Sequence, residues 1–128
     1  VFYVQYAYAR INSLLRTLNL KFLDEINLNE NNTNFNEIEK KIIRKVFEWP
    51  KIIESSSRKF DLHKIPFYLY ELSTLFHAYW SKGNENINYK FIEKEKIKRE
   101  EILSIINLVG LVIQNGMQIL GVSLPKRM

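Results

Sequence analysis

Residues 2–22 read FYVQYAYARINSLLRTLNLKF, and within them Val4, Tyr8, Ile11, Leu15 and Leu18 return at intervals of three and four. That is the period of an amphipathic helix, so a helix is expected over Phe2–Phe22 with those five residues as its buried stripe. At 100° per residue, Tyr3, Tyr6, Arg10 and Ser13 fall nearly opposite the stripe. Two tyrosines and an arginine thus share the side that water normally takes. Either their planes serve a partner, or the tyrosines pack on a neighbouring helix while Arg10 snorkels over them. Periodicity leaves both open.

Outward from this helix the pattern stays helical. Asp24–Asn36 (DEINLNENNTNFN) reads as an exposed loop. Asn34 with Glu37 supplies a start for a second helix, Phe35–Glu48, whose stripe is Ile38, Ile42, Ile43 and Val46. It stops near Trp49-Pro50, since the residue before a proline is pushed out of the helical region. A third helix is expected over Lys51–Phe60. A fourth enters at Pro66, where the missing N–H is harmless, and ends at Lys82-Gly83-Asn84. Its stripe is Leu69, Leu72, Leu75, Phe76 and Tyr79, with Trp80 at the edge. The last and longest helix runs Lys94–Leu120, charged at its start and apolar nearly all round after Ile102. Gly121 opens a tail that Pro125 keeps out of helix. No strand alternation and no internal repeat stand out. The expected architecture is an all-α bundle of about five helices, one domain over residues 1–128.

Composition sets the outer limits. The 128 residues are 46% hydrophobic and 13% aromatic, enough for a core and too much for global disorder. Cysteine is absent, which excludes disulfides, thiolate metal sites and thiol catalysis, and agrees with a cytoplasmic location. Nineteen Lys+Arg against fourteen Asp+Glu give +5, compatible with a polyanion partner and equally with a solvated, lysine-rich surface. Val1–Arg10 lacks the layout of a signal peptide. Ile102–Val122 is the one membrane candidate, but Ser104, Asn107, Gln114, Asn115 and Gln118 suit a buried helix better, so no membrane partner is expected. The first residue is Val1, not Met, and the chain is expected to continue upstream.

Reactive groups do not converge. His63 and His77 are the only imidazoles, and neither has a carboxylate at ligand spacing. A histidine beside a core stripe, such as His77, reads as satisfied structure. Phosphate loops, dinucleotide fingerprints and nucleophile elbows are missing. Glu93, Glu95, Glu100 and Glu101 alternate with lysines as solvated helix charges. No catalytic residue, metal site or cofactor is expected within these residues.

Single-stranded RNA loops are held by aromatic and guanidinium planes against bases and by Arg or Lys on phosphates. Tyr3, Tyr6, Arg10, Ser13 and Arg16 offer both chemistries on one side of the first helix. Trp80 reads first as core and second as a stacking plane.

Residues 2–11 (FYVQYAYARI), with Ser13 and Arg16, resemble the opening helix of the C-terminal anticodon-binding domain of arginyl-tRNA synthetases. Residues 68–72 (YLYEL) and 76–80 (FHAYW) are similar to that domain's internal helix. Asn115-Gly116, Leu120-Gly121-Val122 and Pro125-Lys126-Arg127-Met128 resemble its closing signature. The matches come in the family's order and span the chain from end to end.

The resemblance implies an all-helical domain of the DALR type that binds the anticodon stem-loop of arginine tRNA. Anticodon contacts then fall on Tyr3, Tyr6, Arg10, Ser13, Arg16, Trp80 and Met128, the last through its side chain or the terminal carboxylate. It also implies a longer enzyme, an arginine–tRNA ligase that uses ATP with Mg, and a catalytic domain on the same chain. A monomer is the default expectation. Tyr8 stands where the family commonly has histidine, Lys126 where glutamate is usual, and Trp80 where tyrosine is usual, which removes a hydroxyl. Two alternatives remain: a helical protein-interaction module, and the anticodon domain of another synthetase such as the cysteine enzyme.

Overall fold

In a computed structural model, residues 2–20, 34–59, 61, 63–94 and 96–127 are described. The asparagine-rich loop lies almost wholly outside them, and Met128 lies outside as well. Among the described residues there are five α-helices: α1 (Phe2–Thr17), α2 (Glu37–Phe47), α3 (Trp49–Lys59), α4 (Lys64–Glu85) and α5 (Glu100–Leu120). Between α4 and α5 come a 3-10 turn, Ile87–Tyr89, and a small antiparallel hairpin of β1 (Ile92–Glu93) and β2 (Lys96–Ile97).

The stripe of α1 is buried as its spacing predicts: Val4, Tyr8, Ile11 and Leu15 face the core, with Leu18 partly covered just beyond the helix. α1 ends at Thr17 rather than Phe22. Asn19 takes a left-handed φ of 56°, and Leu20 N–H reaches back to the Leu15 carbonyl at 2.9 Å, which closes the helix.

α2 begins two residues later than expected, on Asn36 and Glu39. The Asn36 side chain accepts from Glu39 N–H at 2.8 Å, and the Glu39 carboxylate accepts from Asn36 N–H at 2.9 Å. Long-range partners explain the choice. Glu39 is fully buried, and there it meets Tyr79 Oη of α4 at 2.5 Å and both Nη atoms of Arg99, the residue capping α5, at 3.0 and 3.2 Å. A carboxylate satisfied on this many sides joins three helices.

α3 starts at Trp49 instead of Lys51, because Pro50 sits in the first turn, where no intrahelical N–H is needed. Trp49 is buried with its ring 5.4 Å from that of Tyr68, which in turn donates its hydroxyl to the Lys45 carbonyl. α4 starts at Lys64 and passes through Gly83 to Glu85. Gly83 serves a close approach: a Cβ there would lie 2.9 Å from the Tyr89 carbonyl oxygen.

α5 starts six residues later than expected. Ile92–Glu93 instead pairs antiparallel with Lys96–Ile97, with Lys94 at a φ of 52°, so that Ile92 and Ile97 lie opposite each other and both pack against the core. α5 is the one described helix long and apolar enough to cross a membrane. In this fold it lies at the centre, with Ile105, Ile106, Val109 and Ile113 at 0% exposure. Complete burial of each such side chain is worth roughly 1.5–3 kcal/mol.

Candidate nucleic-acid interface

Tyr6, Arg10 and Ser13 lie at i, i+4 and i+7 on α1, so their side chains follow one line along the helix. Arg16 continues that line and Ala9 forms part of its floor. With Trp80 from α4 and Arg127 from the tail they surround an open groove of about 610 Å³. The structure therefore gathers Tyr6, Arg10, Ser13, Arg16 and Trp80 round one site. Tyr3 is not in its lining. Its ring packs between His77, at 4.5 Å, and Tyr70, at 5.0 Å, both on α4.

The tail reaches the groove by a turn and two latches. Gly121 adopts a φ of 70°, a left-handed conformation that a side chain would strain, and reverses the chain at the end of α5. Val122 and Leu124 then pack on the core. Gln5 Nε2 donates to the Ser123 carbonyl at 2.9 Å, and Arg16 Nη1 donates to the Lys126 carbonyl at 3.0 Å. The chain's last described residue, Arg127, is held beside α1 as a result.

Arg10 is the centre of the site. Its Cζ lies 4.4 Å from the Tyr6 ring centroid and 5.2 Å from that of Trp80. Its Nη2 donates to Tyr6 Oη at 3.3 Å, and its Nη1 lies 2.9 Å from His77 Nδ1. Cation–π contacts of this kind are worth ~0.5–2 kcal/mol each. Trp80 packs on Phe76 and on the edge of Phe91 while also lining the groove, so it is both core and site. None of the described ion pairs involves Arg10, Arg16 or Arg127. The groove therefore presents three guanidinium charges and two aromatic planes, which suits phosphates and bases.

His77 is only 8% exposed, and its chemistry follows from its partners. A guanidinium can only donate and a carbonyl can only accept. Nδ1 therefore accepts from Arg10, and Nε2–H donates to the Tyr3 carbonyl at 3.2 Å. Burial holds the imidazole below the usual histidine range; the bond to the Tyr3 carbonyl opposes this, and the Arg10 charge reinforces it.

Two members of this constellation escape a reading of the sequence. Arg127 belongs to the closing signature, yet nothing local says that the tail folds onto α1. His77 reads as core, although its spacing of three from Trp80 puts both on one face of α4. Among the described residues no group of three or more His, Cys, Asp or Glu side chains could hold a metal ion.

The chain resembles known proteins along its whole length. An arginine–tRNA ligase of Pelagibacter ubique is 41% identical over 128 residues, covering 100% of this chain and 22% of the relative. One from Cereibacter sphaeroides is 34% identical over 127 residues, covering 96% and 22%. One from Allorhizobium ampelinum is 37% identical over 135 residues, covering 100% and 23%. The chain thus spans about a fifth of the length of these relatives. A solved crystal structure of a Campylobacter jejuni protein assigned as an arginyl-tRNA synthetase superposes with a TM-score of 0.82 over 99% of this chain and 26% of that one. At 23% identity this likeness speaks to the fold alone. The family model for the DALR anticodon binding domain matches residues 4–128, and the chain belongs to that family.

Proposed function

We propose that residues 1–128 act as one anticodon-binding unit that holds the anticodon stem-loop of arginine tRNA for a longer arginine–tRNA ligase. One observation carries this reading: an open groove in which Tyr6 and Trp80 flank the Arg10 guanidinium, with Arg16 and Arg127 beside it and, among the described residues, no carboxylate paired to any of the three. Unstacked bases lie against such planes and phosphates beside such charges. Tyr6, Arg10, Ser13, Arg16 and Trp80 are the proposed contacts, with Arg127 added. Tyr3 supports them from beneath, and Met128 keeps its proposed role at the end of the tail.

Attachment of arginine, with ATP and Mg, belongs on this reading to a catalytic domain outside these residues. The described residues offer no carboxylate cluster for the metal, and no chemical step is assigned to them. The longer enzyme is proposed to be cytoplasmic and monomeric.

A second contact, with protein, is favoured by Phe67 and Tyr70, which are 69% and 54% exposed on α4. This face suits the catalytic domain of the same chain. It adds to the RNA reading without competing for the groove.

Fluorescence anisotropy with labelled stem-loops tests the proposal. The chain is expected to bind the arginine stem-loop at least tenfold more tightly than the cysteine stem-loop at physiological salt. Equal binding removes the assignment to arginine tRNA, and preference for the cysteine loop moves the chain to that synthetase.

A further inference from the structure

We propose that His77 is a positioning residue of the RNA groove, a neutral imidazole that fixes the Arg10 guanidinium between Tyr6 and Trp80 without cancelling its charge. The inference rests on the RNA reading of the groove and adds a residue that touches no RNA.

The geometry is specific. His77 Nδ1 lies 2.9 Å from Arg10 Nη1, and His77 Nε2 lies 3.2 Å from the Tyr3 carbonyl. One ring therefore ties the first turns of α1 to α4 and supplies the acceptor that orients Arg10. The same ring stacks beneath Tyr6, with centroids 5.6 Å apart and planes 27° from parallel, and meets Tyr3 at 4.5 Å. One aromatic wall, Tyr6, and one cation thus share a single support, with Tyr3 packed against its other side.

The identity of that support matters chemically. A long guanidinium side chain left alone samples many rotamers, and ordering it only when RNA arrives weakens binding. An aspartate or glutamate would fix Arg10 equally well. It would also neutralise the arginine and place a negative charge beside incoming phosphates. An imidazole accepts the hydrogen bond and leaves the full positive charge facing the groove. It does so only while Nδ1 carries no proton. The groups facing His77 agree with this state: Tyr3, Tyr6 and Arg10 from α1 and Phe76 on its own helix, with no carboxylate among them.

Two measurements test the proposal. In ¹⁵N-resolved NMR of the chain at pH 7, His77 is expected to show a protonated Nε2 and a bare Nδ1. Protonation at Nδ1 instead overturns the proposal, whatever any variant does. In stem-loop binding, His77→Phe keeps a ring but lacks the acceptor and is expected to bind about tenfold more weakly. His77→Asn places an amide oxygen near the position of Nδ1 and is expected to stay within about threefold of the parent. If both variants bind as the parent does, His77 has no positioning role and the RNA reading stands. If the parent chain binds no stem-loop at all, the RNA reading fails and this inference fails with it.

Discussion

Arg16 donates from Nη1 to the main-chain carbonyl of Lys126 at 3.0 Å, so one end of α1 holds the chain's tail in place. With the Gln5–Ser123 bond at the other end, this lays residues 122–127 along the helix and brings Arg127 to the groove. Each phosphate neutralised by a cation on a single strand contributes about −0.7 to the slope of log K against log salt. Arg127→Ala is therefore expected to flatten that slope by about 0.7. Arg16→Ala removes a charge and a latch together, and is expected to weaken stem-loop binding more. Salt titrations of both variants check this.

Tyr6 and Tyr3 belong to the same helix and have different surroundings. Tyr6 is 42% exposed and lines the groove, whereas Tyr3 is packed between Tyr70 and His77. Tyr6→Ala is expected to weaken stem-loop binding by ~1–3 kcal/mol, the range for loss of an aromatic base stack, with little change in melting temperature. Tyr3→Ala is expected to lower the melting temperature as well. Thermal melts run beside binding isotherms separate the two.

Glu39 carries the heaviest structural duty of any charged residue described. Its removal leaves Tyr79 Oη and the Asn36 N–H without their acceptor and strands one face of Arg99. Glu39→Ala is expected to cost about 3 kcal/mol or more, in line with breaking a buried charged pair from one side. Urea denaturation of parent and variant measures it.

His77 also makes stability depend on pH. Its folded-state pKa lies below the unfolded value of about 6.5, so above that pH both states are neutral and its contribution is fully present. As pH falls from about 6.5 through the folded pKa, the unfolded state takes the proton first and stability is lost. His77→Phe is expected to shrink the difference in melting temperature between pH 7.5 and pH 5.5. An unchanged difference would mean that His77 does not titrate across this window.

Much of this fold is legible locally. The stripes of α1 and α4 repeat at the helical period, and Val4, Ile11, Leu69, Leu72 and Phe76 are buried as spacing alone requires. What escapes a local reading depends on distant partners. Asn34–Glu37 and Asn36–Glu39 offer the same capping pattern, and Tyr79 and Arg99 select the second. The turn at Lys94 replaces the expected start of α5, because Ile92 and Ile97 both reach the core only if the chain doubles back. At the site, the line Tyr6–Arg10–Ser13–Arg16 follows from helix geometry. Arg127 and His77 join it through contacts between α1, α4 and the tail, which no short window of sequence contains.

The most direct test of the anticodon reading is binding of the chain to two stem-loops that differ only at the central anticodon base. At physiological salt, altering this base is expected to weaken binding by at least tenfold, ~1.4 kcal/mol. Equal affinity for the two loops would contradict it.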